Sequence, residues 1–327
     1  MFNQAKFELV NSLFCQHKLQ FSWLDNCNHR RRLNLAIDNR NNIGEFLPKT
    51  HQHIAFTNHP LATKEINDLL PILQKFLHSC PQGIFYKVQI TLFDNILDLI
   101  FFTKKSLHYN VIDSLVDFAR QQQLNLSYQQ NKIQPLFIKQ QCYLLVNQLK
   151  LYVDNQVFLQ ASRAGLTTII QHLTSFVQNV NARHIADLYC GFALYSFALH
   201  QFVVSSDAFE GSQHMVDLAR NNSNKYRLAN KIKAYNRDLV FAPLDKQELQ
   251  KYDAVIINPP RNGAGKQINQ LAQSNVSNIC YVSCNPYTLA SDAKILLDFD
   301  YKISIIHIVN QFADDRHIEL VANFTKK

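Results

Sequence analysis

Residues 184–210 read HIADLYCGFALYSFALHQFVVSSDAFE. The two ends of this stretch, HIADLYC and VVSSDAFE, are short apolar runs typical of strands, and a helical segment separates them. Further strand-like runs follow with the same alternation, namely KIKAYN, YDAVIINPP, NICYVSC and ISIIHIV. Strands that alternate with helices in this way predict an α/β fold with a doubly wound, mainly parallel sheet.

The residues that follow these strands are largely polar, and ligands of a doubly wound sheet bind outside the carboxyl ends of its strands. Glu210 ends the second strand, where a carboxylate can accept two hydrogen bonds from the hydroxyl groups of a ribose. The turn after the first strand has one glycine and no G-x-G-x-x-G pattern, which argues against a pyrophosphate-binding loop. The pattern therefore favours a nucleoside ligand without a diphosphate, such as S-adenosylmethionine.

The first half of the chain predicts a smaller α+β module. KFELVNSLFCQHKL, EINDLLPILQKFL and VIDSLVDFARQQQ have helical periodicity, whereas RRRLNLAID is extended. Residues 85–103 predict two strands joined at a turn that contains Asp94 and Asn95. We therefore expect two domains, an α+β module over residues 1–150 and a ligand-binding α/β domain over residues 151–327.

Most of the net positive charge lies in the first half. Residues 1–150 contain 16 Lys and Arg against 10 Asp and Glu, which gives +6 of the net charge of +8. The densest basic stretch, HRRRLNLAI, contains Arg30, Arg31 and Arg32. Three adjacent arginines suit contacts with RNA phosphates, although a solvated basic face has the same pattern. We expect the first half to bind RNA, with these arginines as phosphate contacts.

Composition and cysteine usage exclude several classes of protein. The longest apolar runs, such as LDLIFF at residues 97–102, are far shorter than a membrane span, and the initial MFNQAKFELV lacks the pattern of a signal peptide. The seven cysteines are odd in number and include no C-x-x-C pair, so neither a disulfide framework nor a zinc site is indicated. We expect a cytoplasmic monomer with no membrane partner and no bound metal.

Seven short motifs together resemble one family of enzymes. They are FLQAS, DLYCG, FEGS, RDL, NPPR, SCNP and a terminal HIE, and NPPR and SCNP follow adjacent predicted strands. The set is similar to the S-adenosylmethionine-dependent RNA uracil-5-methyltransferases, which make 5-methyluridine in transfer and ribosomal RNA. The resemblance covers the chain from about residue 150 to the C-terminus, with a weaker match before it. It implies a Rossmann-like class I methyltransferase domain, S-adenosylmethionine as cofactor and RNA as partner, with large-subunit (23S) ribosomal RNA preferred over transfer RNA.

The resemblance gives the thiol of SCNP a chemical role. Carbon 5 of uracil is a poor nucleophile, but addition of a thiolate to carbon 6 turns the ring into an enolate whose carbon 5 can attack a methyl sulfonium. Cys284 corresponds to that thiolate. The hydrogen on carbon 5 must then leave, and the resemblance assigns the general base to Glu319 in RHIEL. The alternatives are an inert buried thiol for Cys284 and a surface acid for Glu319.

The resemblance also implies a set of residues that bind the methyl donor. They are Gln160, Tyr189, Glu210, Asp238 and Asn258. Glu210 would hold the ribose hydroxyls, and Asp238 would lie near the adenine. Asn258 begins the NPPR motif, where the family often has aspartate, and it still offers both an acceptor and a donor.

Two departures from the family pattern have physical consequences. Ala193 stands where the family usually has a second glycine, and a methyl group in a loop that approaches the cofactor is expected to weaken binding. Relatives often carry an N-terminal RNA-binding barrel and a four-cysteine iron–sulfur motif, which this chain is expected to lack. His59 in TNHPLA occupies the place of the last cysteine ligand, and Cys15 and Cys27 do not restore the spacing, so no iron–sulfur cluster is expected.

Two other functions remain compatible with the sequence. N-P-P motifs also occur in amino-methyltransferases that act on adenine, guanine or glutamine, where the loop binds a planar amine and no cysteine nucleophile is needed. Alternatively, Ala193, the short N-terminal region and the presence of only seven glycines fit an RNA-binding or assembly factor that has lost catalysis.

Overall fold

The computed structural model describes residues 4–22, 29–47, 50, 52–311 and 318–326. The chain divides into two compact units: unit 1 comprises residues 1–26 and 163–327, and unit 2 comprises residues 27–162. The domain boundary expected at residue 150 separates an RNA-binding module from a catalytic domain. The division into compact units does not test these two functions, so that boundary stays a prediction. Within the described ranges, no helix is long and apolar enough to cross a membrane.

Both units contain helices and strands. The described helices are α1 (Gln4–Phe14), α2 (Lys64–Ser79), α3 (Tyr109–Gln122), α4 (Arg163–Asn179), α5 (Leu194–Leu199), α6 (Gln213–Lys225), α7 (Lys246–Leu249), α8 (Lys266–Gln273) and α9 (Pro286–Leu297). The described strands are β1 (Leu19–Ser22), β2 (Arg32–Ile37), β3 (Ile43–Phe46), β4 (His53–Ala55), β5 (Phe85–Leu92), β6 (Leu97–Thr103), β7 (Asn125–Gln129), β8 (Ile133–Phe137), β9 (Tyr143–Val146), β10 (Leu149–Tyr152), β11 (His184–Leu188), β12 (Ser205–Glu210), β13 (Ile232–Asn236), β14 (Ala254–Ile257), β15 (Asn278–Ser283), β16 (Tyr301–Val309) and β17 (Glu319–Lys326).

Unit 1 is built on one eight-stranded sheet. Its strand order is β1-β16-β17-β15-β14-β11-β12-β13. β17 runs antiparallel to both of its neighbours, and all the other described pairs in this sheet are parallel. The strand order reverses at β11 and β14, and sheets of this kind bind ligands outside the carboxyl ends of the strands at such a point. The predicted doubly wound, mainly parallel sheet is confirmed.

Helices cover both faces of this sheet. All four residues of β14 are buried, as expected for a strand with helices on both sides. Val255 and Ile257 of this strand join a core that includes side chains of α1, α8 and α9. Ala254 and Ile256 join a second core with α4 and α5. Because successive side chains of a strand point to opposite faces, the apolar run of β14 serves both cores and fixes its carboxyl end between them.

Unit 2 contains a seven-stranded sheet in the order β4-β3-β2-β5-β6-β7-β8 and a separate hairpin of β9 and β10. β5 and β6 pair antiparallel, which confirms the two strands predicted on either side of Asp94 and Asn95. Two helices share one core with this sheet through apolar side chains spaced three or four residues apart: Ile66, Leu69, Leu70, Leu73 and Leu77 of α2, and Val111, Leu115 and Phe118 of α3.

Arg31 of unit 2 is an internal ion-pair residue. It is only 4% exposed, and its guanidinium donates to the carboxylate of Asp94 at 2.7 Å and to the carbonyl of Leu92 at 3.1 Å. Asp94 also accepts a hydrogen bond from the backbone N–H of Leu145, so the pair links the end of β5 to β9. The expectation that Arg31 contacts RNA phosphates is therefore corrected, because its guanidinium is turned towards the interior of the fold.

Arg32 is held in a similar way. It donates to the hydroxyl of Thr91 at 3.0 Å and to the carbonyl of Val157 at 2.9 Å. Burial is the largest influence on this guanidinium, and it lowers the pKa. Arg32 is only partly buried, so its contact with RNA phosphates stays a prediction. Arg30 is exposed, and its phosphate contact also stays a prediction.

Replacement of Arg31 by methionine is expected to destabilise unit 2. The change leaves the Asp94 carboxylate without its cation, and loss of one partner of a buried ion pair costs about 3–5 kcal/mol. Urea denaturation followed by circular dichroism measures the change in the free energy of unfolding. Arg30→Met is the matched control at an exposed position and is expected to change this free energy by less than about 0.5 kcal/mol. Equal losses in the two variants would contradict the internal role of Arg31.

Candidate functional site

Cys284 and Glu319 meet at the carboxyl edge of the unit 1 sheet. β15 and β17 pair antiparallel, and the final pair at this edge joins Ser283 to Leu320. Cys284 follows Ser283 and Glu319 precedes Leu320, so the register sets the thiol residue opposite the acid. Opposed residues of antiparallel strands have Cα atoms about 4.5–5.5 Å apart. The sheet therefore brings the two predicted catalytic residues together.

Hydrogen bonds fix the residues on either side of Cys284. The hydroxyl of Ser283 donates to the carbonyl of Asn285 at 3.0 Å and accepts a bond from the Asn285 backbone N–H at 3.1 Å. The side chain of Asn285 caps α9 by accepting a bond from the backbone N–H of Tyr287 at 3.1 Å, and Pro286 begins that helix. Ser, Asn and Pro of SCNP therefore shape the turn that presents the half-buried thiol.

The NPPR loop is tied to the same turn. The side-chain amide of Asn285 donates to the carbonyl of Arg261 at 2.9 Å. Asp292 of α9 accepts bonds from the backbone N–H of Ala264 at 2.8 Å and from the hydroxyl of Tyr281 at 2.6 Å. The two motifs thus form a single hydrogen-bonded network across the ends of β14 and β15.

Opposing influences set the acidity of the Cys284 thiol. Burial raises its pKa most, the negative charge of Glu319 raises it further, and Arg261 and the backbone of Cys284 lower it. The net effect is a pKa above the ordinary value of a thiol, so the protonated form prevails at neutral pH. Formation of the thiolate depends on the balance between the acid and the arginine.

Glu319 is buried, with 3% of its surface exposed. Its carboxylate accepts a hydrogen bond from the side-chain amide of Gln311 at 3.4 Å. Gly165 of α4 makes room for this amide, because a Cβ at that position would lie 2.2 Å from Oε1 of Gln311. The acid is therefore placed by its neighbours rather than free to rotate in solvent, which suits a general base that acts on one defined hydrogen.

Glu210, at the end of β12, is held by two backbone donors. Its Oε2 accepts a bond from the N–H of Gly191 at 3.0 Å, and its Oε1 accepts one from the N–H of Ser212 at 2.9 Å. Each carboxylate oxygen has two lone pairs, so both oxygens keep the capacity to accept a further hydrogen bond. A carboxylate fixed in this way can bind the two hydroxyls of a ribose.

The turn after β11 is strained. Tyr189, Gly191 and Ala193 have φ values of 57°, 56° and 60°. A Cβ at Gly191 would meet no atom within 4 Å, so the backbone of the turn is open to a ligand at that point. Ala193 is fully buried, and its methyl group does not reach the surface. The cost of alanine at this position is a left-handed backbone, about 1–2 kcal/mol, and the expected weakening of cofactor binding stays a prediction.

Tyr189, Asn258 and Asp238 lie at the same edge of the sheet. The hydroxyl of Tyr189 donates to the carbonyl of Ala264 at 2.8 Å, which links the turn after β11 to the NPPR loop. The backbone N–H of Asn258 donates to the carbonyl of Leu188 at 3.1 Å, while no described residue hydrogen-bonds to its side-chain amide. Asp238 accepts a bond from a backbone N–H two residues further on, at 2.9 Å.

Besides Arg31 and Arg32, two predicted residues lie in unit 2. Gln160 is buried and follows β10, and Arg30 is exposed before β2. Their contacts with the methyl donor and with RNA stay predictions. No cluster of His, Cys, Asp and Glu side chains that could hold a metal ion occurs among the described residues, and Cys27 lies outside them. The residues that the structure brings to one edge are Cys284, Glu319, Tyr189, Glu210, Asp238 and Asn258.

Most of the chain matches a known protein family. The family model described as tRNA (Uracil-5-)-methyltransferase matches residues 39–327. The chain belongs to this family. The predicted RNA uracil-5-methyltransferase family and enzyme class are confirmed.

Curated relatives of this uracil-5-methyltransferase are also RNA methyltransferases by name. The 23S rRNA (uracil(1939)-C(5))-methyltransferase RlmD of Haemophilus influenzae (strain 86-028NP) is 28% identical over 310 residues, which cover 91% of this chain and 70% of the relative. An uncharacterized RNA methyltransferase of Caulobacter vibrioides is 37% identical over 169 residues, which cover 52% of this chain and 40% of that protein.

Solved structures confirm the fold. The tRNA (uracil-54, C5)-methyltransferase of Pyrococcus abyssi, solved in complex with S-adenosyl-L-homocysteine, has a TM-score of 0.80 at 19% identity and covers 98% of this chain and 82% of its own. The tRNA m1G37 methyltransferase of M. jannaschii has a TM-score of 0.54 at 16% identity, with 83% and 81% covered. At these identities the likeness shows the fold alone, which is the predicted Rossmann-like class I methyltransferase fold.

The sequence pattern did not single out three further residues of unit 1. Arg261 lowers the pKa of the Cys284 thiol, and its place in NPPR was an available signal. Asp187 is fully buried within β11, where burial raises the pKa of its carboxyl to about 7, and an acid inside an apolar run was also a signal. Gln311, which contacts Glu319, follows the last predicted strand without any distinguishing pattern.

The raised pKa of Cys284 predicts slow alkylation of this thiol at neutral pH. Since only the thiolate reacts, the rate of iodoacetamide modification at Cys284 should keep rising above about pH 8.5, the ordinary thiol pKa. Glu319→Gln removes the neighbouring negative charge and should shift the rate profile to lower pH. Peptide mass spectrometry measures the rates, with fully buried Cys280 as the internal control. Identical pH profiles of the modification rate in the wild-type protein and in Glu319→Gln would show that Glu319 does not influence the pKa of the thiol.

Proposed function

We propose that the chain transfers a methyl group from S-adenosylmethionine to carbon 5 of a uridine in RNA, through a covalent bond between Cys284 and carbon 6 of the base. The observation that carries this proposal is the register of β15 and β17, which sets a thiol opposite a buried carboxylate. This pair lies at the edge of the sheet where ligands of such folds bind. A nucleophile and a base on adjacent strands can serve two neighbouring carbons of one ring.

Each residue of the pair has its own step. Cys284, as the thiolate, adds to carbon 6 and makes carbon 5 nucleophilic. Once carbon 5 carries the methyl group, Glu319 takes its hydrogen as a proton, the double bond between carbons 5 and 6 re-forms, and the carbon–sulfur bond breaks. Arg261 favours the thiolate before addition, because its positive charge lowers the pKa of the thiol.

The edge of the sheet also fits S-adenosylmethionine, which when bound supplies an electrophilic methyl group. Glu210 offers two fixed oxygens to the ribose hydroxyls. The open backbone at Gly191 permits close approach, and the side-chain amide of Asn258 is available to a ligand or substrate. The S-adenosyl-L-homocysteine in the Pyrococcus abyssi structure supports this assignment. The remaining proposed contacts are Tyr189, Asp238 and Gln160.

We propose 23S ribosomal RNA as the substrate. RlmD proteins of Haemophilus influenzae and Mannheimia succiniciproducens, both named for uracil 1939 of 23S rRNA, align with 91% and 82% of this chain. The excess of basic residues in the first half supports RNA binding by unit 2, with Arg30 as a phosphate contact. A monomer that acts in the cytoplasm fits this substrate.

The covalent step predicts opposite phenotypes for two variants. Glu319→Gln should accumulate RNA bound through Cys284, because addition and methyl transfer proceed while proton removal stalls. Cys284→Ala should neither methylate nor trap RNA, because no enolate forms. Denaturing gels with labelled 23S ribosomal RNA measure the trapped fraction, and transfer of labelled methyl from S-adenosylmethionine measures activity.

The double variant Cys284→Ala/Glu319→Gln is the control for this trap and should give no slow band. A substrate with 5-fluorouridine should trap the wild-type protein, because fluorine cannot leave as a proton. Full methylation by Cys284→Ala would reject the covalent route and favour an amino-methyltransferase. An adduct that maps to Cys280 or Cys190 would reject the assigned nucleophile.

The proposed substrate predicts a single missing modification in cells that lack this protein. Mass spectrometric mapping should find 5-methyluridine reduced in 23S ribosomal RNA and unchanged in transfer RNA. Re-expression of the wild-type chain should restore the modification, and Cys284→Ala should not. Loss of 5-methyluridine from transfer RNA alone would replace the ribosomal substrate with a transfer RNA.

A further inference from the structure

Lys6 of α1 is buried inside unit 1. It is 1% exposed, and its ammonium donates to Oδ1 of Asn310 at 2.9 Å. Asn310 is itself fully buried. Lysine is almost never fully buried unless it is paired, because removal of an ammonium group from water is costly. The contact therefore joins an early helix of the chain to a specific point at the end of β16.

That point lies next to Glu319. Val309, the last residue of β16, pairs with Glu319 in the sheet. The backbone N–H of Gln311 donates back to the carbonyl of Val309 at 3.0 Å, which closes a three-residue turn with Asn310 at its centre. Lys6 therefore bonds to the central residue of this turn, Asn310. The last residue of the turn, Gln311, donates from its side chain to the carboxylate of Glu319.

The side chain of Gln311 has little freedom to adjust. A Cβ added at Gly165 would lie 2.2 Å from Oε1 of Gln311 and 2.9 Å from Cβ of Gln311. Gln311 therefore packs directly against the backbone of α4. A shift of the turn at Asn310 would therefore move the amide that contacts Glu319, instead of being absorbed by rotation of the glutamine side chain.

We propose that Lys6 is a positioning residue for the removal of the proton from uracil carbon 5. Its ammonium fixes Asn310, the turn fixes Gln311, and Gln311 orients the Glu319 carboxylate towards the ring. The inference rests on the proposed function, because it takes Glu319 as the base. Addition of Cys284 and methyl transfer do not depend on this chain of contacts, so disturbance at Lys6 should slow the last step alone.

Lys6→Met tests the inference, because methionine is similar in length and apolar but cannot donate a hydrogen bond. With 23S ribosomal RNA transcribed in vitro, the variant should accumulate covalent RNA adduct on denaturing gels. Its multiple-turnover rate should fall roughly 10- to 100-fold, while the single-turnover rate of methyl transfer stays near that of the wild type. Gly165→Ala, which displaces Gln311 by a different route, should give the same adduct.

Val10→Ala is the matched control, since Val10 is a fully buried apolar residue of the same helix. It should lower stability without trapping RNA. Equal trapping by Val10→Ala would mean that packing of α1, not the polar contact, is responsible, and would overturn the inference. Should Lys6→Met not fold, Lys6→Gln, which keeps a neutral donor, should show weaker trapping of the same kind.

Glu319→Gln separates this inference from the function on which it rests. Adduct with Glu319→Gln but none with the Lys6 variants or Gly165→Ala would overturn the positioning role and leave the proposed function intact. Absence of adduct with Glu319→Gln would instead overturn the assignment of Glu319 as the base.

Discussion

Antiparallel insertion of β17 between β15 and β16 is the constraint on which the proposed catalytic pair depends. Parallel strands bring only their carboxyl ends to the ligand-binding edge of a sheet, whereas a reversed strand presents its amino end there. Glu319 is the first residue of β17, and it faces the residue that follows β15. Backbone hydrogen bonds of buried strands therefore align the two residues, and the turn that follows β15 presents the thiol. Each intervening pair in the ladder maintains the same register.

The closeness of the Glu319 carboxylate to the Cys284 thiol creates an electrostatic conflict. In the proposed reaction the general base must be negative to accept a proton, but that charge disfavours the thiolate that acts before it. Burial of Cys284 adds to the difficulty. Arg261 offsets part of both effects, and the hydrogen bonds that tie its loop to Asn285 keep it beside the turn that carries the thiol. In the proposed mechanism, SCNP supplies the nucleophile and Arg261 of NPPR supplies its counter-charge.

Local patterns in the sequence are sufficient to predict the doubly wound sheet, the hairpin around Asp94 and the polar residues at the ends of the strands. They do not predict contacts between residues that are far apart along the chain. The charge run at Arg31 has the pattern of a solvated face, but its guanidinium pairs with Asp94 on another part of the chain. The periodicity of α1 predicts a helix without indicating which core it joins. Gln311 has no pattern of its own, because its position depends on the close approach of Gly165.

The chain leaves unit 1 after residue 26 and re-enters it at residue 163. β1, made at the start of synthesis, pairs with β16, which is among the last strands to be made. As the polypeptide emerges from the ribosome, the residues of unit 2 can complete their own core before the elements that pack against α1 and β1 have been synthesised. The edge that carries the thiol and the acid therefore cannot be completed before β17 has been synthesised. A nascent chain interrupted before β17 has the proposed nucleophile, Cys284, but not the proposed base, Glu319.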